Sequence, residues 1–210
     1  MRQATVAAAQ QQFDKANELL GRIGPDDFHA GNFATTIALD QGNLQRAIAL
    51  AEKGRALAQH REGMDRYNFD MPLAVAYMMA GDKARALKVA RSAATAPFQG
   101  LDKEPTVEQA DRLVAAHAGA MLSLRLGDVA PARAVQKRVD AIAGLPSSIV
   151  LQQFRTLLAA RLLENSGQPQ QAMDMLKPLL QRQPRMQVRV AVRDLALELG
   201  QQEVAQEQAR

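Results

Sequence analysis

Apolar positions return with a helical period along most of the chain, in runs broken by short polar connections. The pattern predicts helices over 28–41, 43–60, 66–80, 83–95, 107–126, 129–143, 149–165, 169–181, 186–199 and 202–209. Ahead of them, residues 1–10 read as a short helix and Phe13–Leu20 as its returning partner, with Gln11 where the turn would fall. Alternating β-branched runs are absent, so the fold class is all-α.

The breaks share one local text. Gly42, Gly81, Gly127, Gly167 and Gly200 each end a run, and an alanine follows five residues later at Ala47, Ala86, Ala132, Ala172 and Ala205. The glycines lie 39, 46, 40 and 33 residues apart, a period characteristic of stacked two-helix units. A left-handed residue just past a helix stops it at little steric cost when it lacks a Cβ. Asn43, Asp82 and Asp128 follow as good N-caps for the returning helix, and Pro169 and Pro131 fall in first turns, where a missing N–H is tolerated. The alanine, and the small residue seven before the glycine (Thr35, Ala74, Ala120, Ala160), let the two helices approach closely. Arg193 breaks that rule in the last unit.

With these positions in place the chain resembles a tetratricopeptide-repeat (TPR) array. The string from Leu73 to Asp82 matches best, with Tyr77 at the family's aromatic position; Ala93 and Leu179 sit at its later apolar position and Pro184 at its closing proline. The departures are the missing tryptophan, a period that drifts from the usual ~34 residues, and a single closing proline in register. The resemblance covers 28–210, with units at about 28–60, 66–95, 107–143, 149–184 and 186–209, and leaves 1–27 as a partial or degenerate N-terminal unit. It implies a right-handed α-solenoid of about five helix-turn-helix repeats acting as a non-catalytic scaffold for a protein or peptide.

Composition narrows the chemistry. Ala, Leu, Gln, Arg and Met dominate the 210 residues, aromatics are 4%, and there is no cysteine, which excludes disulfides, thiolate metal sites and a cysteine nucleophile. No apolar run reaches the ~18 residues of a membrane-crossing helix, so no membrane insertion is expected. The start carries no secretory leader; cytoplasm is the default compartment, and the periplasm the alternative if a leader has been removed. Both ends read as cut, which motivates a second reading, a regulatory or sensory segment of a longer multidomain protein. His29, His60 and His117 stand apart without ligand spacing, and phosphate-loop, dinucleotide and nucleophile-elbow motifs are missing. No enzyme activity, cofactor, metal or small-molecule substrate is therefore expected. Arg182, Arg185, Arg189 and Arg193 would form a stripe only if one helix ran through Pro184, and no aromatic residues accompany it, so nucleic acid is disfavoured as a partner.

In such an array the first helix of each pair lines the concave face. Positions ten, six and three before each turn glycine read Asn32, Thr36 and Leu39; Met71, Val75 and Met78; His117, Met121 and Leu124; Leu157, Arg161 and Glu164; Val190, Asp194 and Leu197. With Met79 and Arg125 added, the expected partner-binding groove is Asn32, Thr36, Met71, Val75, Met78, Met79, His117, Met121, Arg125, Arg161 and Glu164, methionine-rich in the middle and polar at its ends.

Overall fold

The computed structural model describes residues 1–24, 26–59, 67–97, 107–142, 149–181 and 184–209. All regular structure among them is helical, in two compact units, Met1–Ala96 and Pro97–Arg210. The first unit holds α1 (Arg2–Ala9), α2 (Phe13–Gly21), α3 (Phe28–Asp40), α4 (Leu44–Ala58), α5 (Tyr67–Met79) and α6 (Lys83–Ala94). The second holds α7 (Val107–Arg125), α8 (Ala130–Asp140), α9 (Ile149–Asn165), α10 (Pro169–Leu176), α11 (Met186–Glu198) and α12 (Gln202–Gln208). Among the described residues no helix is long and apolar enough to cross a membrane. The connections at 98–106 and 143–148, and His60 and Arg182, lie outside the described residues.

All five turn glycines adopt left-handed backbone, with φ between +69° and +90°. Gln11 does the same at +59°, alone among the described non-glycine residues. Each turn closes identically. The backbone N–H of Gln12, Asn43, Asp82, Asp128, Gln168 and Gln201 donates to the carbonyl five residues back, on Ala7, Ala38, Tyr77, Ser123, Leu163 and Ala196, at 2.7–3.0 Å. The N–H of the left-handed residue donates three back, which completes a Schellman cap and satisfies carbonyls the helix end leaves orphaned. A Cβ on Gly42, Gly81, Gly167 or Gly200 would meet nothing within 4 Å, so glycine is there for its φ and not for room. The side chains of Asn43 and Asp82 then cap the returning helices at Arg46 and Arg85, and Asp27 caps α3 at Ala30.

The small residues flanking the turns are interior. Ala47, Ala86, Ala132 and Ala172 are fully buried and Ala205 nearly so, and Thr35, Ala74, Ala120 and Ala160 are fully buried as well. The first hairpin obeys the same spacing around Gln11, with Ala4 and Ala16 buried. Every substantial helix contact within either unit joins helices one or two places apart in sequence. Among the described residues one apolar cluster joins α1, α2 and α3 around Leu20 and Ile37, one joins α3, α4 and α5 around Ala38, Ala47 and Ala76, and one joins α9 to α12.

One boundary departs from the sequence pattern. α10 ends at Leu176 and continues to Gln181 as a 3-10 segment, because Pro178 lacks the N–H an α-helix would need there. α11 begins at Met186, as the pattern predicts, with Arg185 extended ahead of it. Phe69, fully buried, lies flat against α4 at Gly54, where a Cβ would run into its ring; Phe28 meets it edge-on at 5.0 Å.

Backbone strain at Gln11 should be removable. Gln11→Gly is expected to raise the unfolding free energy by about 1 kcal/mol and Gly81→Ala to lower it by a similar amount, since a left-handed L-residue costs roughly 1–2 kcal/mol. Urea unfolding of both variants checks this; a loss of stability in Gln11→Gly would contradict it.

Candidate functional site

In the first unit the expected groove residues sit on α3 and α5, which pack against each other. Met71, Val75 and Met78 recur on one face of α5, each half-buried, and Met79 next to them is 52% exposed. Thr36 is exposed, its hydroxyl donating to the Asn32 carbonyl at 3.3 Å. Leu39 is half-buried against the cluster of Ala38, Ala47 and Ala76.

Asn32 has a different employment from the open groove donor expected. Pro72 lies inside α5 and has no N–H to give to the carbonyl four residues before it, on Asn68. The Asn32 side chain reaches across from α3 and donates to that carbonyl at 2.8 Å. A backbone acceptor freed by proline is thus satisfied by a side chain thirty-six residues earlier in sequence.

In the second unit the expected residues lie on α7 and α9, again in mutual contact. His117 is a correction: it is 7% exposed, its ring tilted against Phe154 at 4.7 Å, and it lies inside the unit instead of lining an open face. Leu157, at the equivalent place on α9, is buried too, whereas Asn32, Met71 and Val190 at the same place are half-buried. Burial pushes the His117 imidazole down from its usual 6.5 to about 4, with the Phe154 backbone opposing in part. Met121 is half-buried against the apolar cluster of α9 to α12, and Arg125 is exposed in the last turn of α7, where a cation suits the helix dipole.

Arg161 and Glu164 are brought together and joined by two residues of α11. The Arg161 guanidinium donates twice to Glu164, at 2.7 and 2.9 Å, and once to Asp194 at 3.3 Å; Arg193 donates to the other Asp194 oxygen at 2.8 Å. The four charges cancel, and the Arg161 side chain keeps only 17% of its surface exposed. Next to this network Val190 is half-buried and Leu197 is 58% exposed, so the α9–α11 face is a neutral polar cluster with apolar edges.

Sequence spacing gave no sign of two further interactions. Asp70, fully buried, accepts an ion pair from Arg55 at 2.6 Å, tying α4 to α5; a carboxylate in the apolar text Phe69-Asp70-Met71-Pro72-Leu73 was the only available hint. Tyr77 at 4% exposure donates to Glu52 of α4 and carries the Arg85 guanidinium of α6 over its ring at 4.5 Å, so one residue links three helices. Burial, and then the bond to Glu52, raises its pKa above the usual tyrosine value. Among the described residues no group of three His, Cys, Asp or Glu side chains is placed to hold a metal ion. No protein-family model matches the chain, and no curated protein matches it.

Two experiments follow. Asn32→Ala should cost about 1–2 kcal/mol by stranding the Asn68 carbonyl, and most of that cost should vanish in a Pro72→Ala background, where a backbone N–H takes the place of the amide. Additive costs in the double-mutant cycle would rule the link out. For His117, the unfolded chain binds a proton near pH 6.5 and the folded one only near 4. Stability should therefore be complete above 6.5 and decline as pH falls, by about 3 kcal/mol near pH 4. His117→Leu should lack this part of the decline when denaturant unfolding is compared at neutral and acid pH; identical profiles would contradict the assignment.

Proposed function

We propose that the chain is a non-catalytic interaction scaffold, each unit a stretch of right-handed TPR-like α-solenoid, with about five such hairpins from residue 28 onward and a degenerate one before them. The partner is a protein segment, helical or extended, laid against the first helices of the hairpins. The recurrence of one hairpin geometry with neighbour-only packing carries the reading. Helices that contact only near neighbours in sequence share no single interior, and such a stack keeps a long face free for another chain.

The surface composition supports the same reading. On the α3–α5 face Met71, Val75 and Met78 are half-buried in a row and Met79 is largely open. Methionine is unbranched and polarizable, so it adapts to differing apolar anchors. A row at helical spacing suits the i, i+3 or i+4, i+7 anchors of an amphipathic helix, which sustain about micromolar binding without special chemistry. On the α9–α11 face the neutral Arg161–Glu164–Asp194–Arg193 network offers both donors and acceptors beside exposed Leu197.

The chain as bait should retain a partner protein from cell lysate, identifiable by mass spectrometry. Met78→Glu and Met79→Glu should each release that partner while leaving far-UV helicity and thermal stability nearly unchanged. Full retention by both variants would remove the α3–α5 face from the binding site. Unfolding by Met78→Glu alone would assign Met78 to the interior and leave the more exposed Met79 as the deciding residue.

A further inference from the structure

We infer that the outward face of α6 is a second interaction surface, separate from the α3–α5 face, and that it takes an acidic protein segment. α6 carries Lys83, Arg85, Lys88 and Arg91 and no carboxylate within its span. All four cations are exposed, while Ala86, Val89, Ala90, Ala93 and Ala94 turn inward. α5, the helix it packs against, carries one carboxylate, Asp70, which is buried in an ion pair with Arg55. Lys83 and Lys88 make no ion pair among the described residues, whereas Arg85 is fixed by Asp82 and by the Tyr77 ring beneath it.

The dimensions select the partner. Lys83 to Lys88 spans about 7.5 Å of helix, which matches two carboxylates spaced along a short peptide. A duplex would require a basic surface several phosphates wide. The basic surface here is a single helix wide, which falls short of that. No aromatic ring is open on the face for base stacking, since Tyr77 is 4% exposed under Arg85. Charge complementarity in so exposed a setting gives fast, salt-sensitive association.

Fluorescence anisotropy with the full chain tests this, using a labelled Glu-rich peptide of about 12 residues and, separately, a duplex DNA of about 20 base pairs. The peptide should bind, weaken as salt rises, and lose about tenfold in affinity on Lys83→Glu with Lys88→Glu. The reversal Arg133→Glu with Lys137→Glu on α8 makes the same change in net charge and should shift binding by less than about twofold. Equal weakening by the two double variants, no binding of the peptide, or tighter binding of the duplex that the α6 reversal abolishes would each overturn the proposal. Should the α6 reversal reduce helicity, Lys83→Gln with Lys88→Gln must still weaken the peptide, and an unchanged affinity there would also overturn it.

Discussion

Six times along the chain a helix stops at one residue in left-handed backbone, and the following N–H reaches five residues back to close the helix end. The rest of the structure depends on that cap. It sets the angle at which the second helix returns, and it satisfies carbonyls that would otherwise be stranded beside an apolar interface. The alanine five residues on is buried in each hairpin, so a small side chain occupies the interior behind the turn. Where glycine is replaced by glutamine, at position 11, the geometry survives because Ala4 and Ala16 and the two backbone hydrogen bonds still favour it.

Hairpins built in this way leave little for long-range packing to decide inside each one, and the larger side chains act between hairpins. Phe69 seated on Gly54, Asp70 buried against Arg55, and Tyr77 shared among α4, α5 and α6 all concentrate on the junction of the second and third hairpins. Removing either partner of the buried ion pair would leave an uncompensated charge, which is why such pairs specify one arrangement of their helices even when they add little net stability. In the second unit Gln153 plays a comparable part, its side-chain oxygen accepting the Arg185 N–H where α11 begins.

The proposed activities sit on what this packing leaves over. The first helices keep one face against their own hairpin and one against the next, and their remaining arc carries methionine in the first unit and a neutral charge network in the second. On α6 the buried arc is alanine and valine, so the helix needs little width to pack, and four cations share the remainder with Ala84, Leu87 and Ser92. Both faces arise from the same economy: small residues inside free the longer ones to face outward.

The all-helical class, the five glycine turns, the two caps at Asn43 and Asp82 and the buried alanines were legible in the sequence, because each depends on residues within about one helical turn of it. The position of the first turn at Gln11 was legible for the same reason, from spacing and not from residue type. Which side chains remain available to a partner was a tertiary matter. Asn32 is engaged by a carbonyl that a proline freed thirty-six residues later, Arg161 by a carboxylate thirty-three residues later, and His117 is covered by Phe154 of the neighbouring helix. A local motif fixes how the backbone turns; the surroundings of a side chain are fixed by whichever distant segment packs over it, and helical periodicity carries no record of that segment.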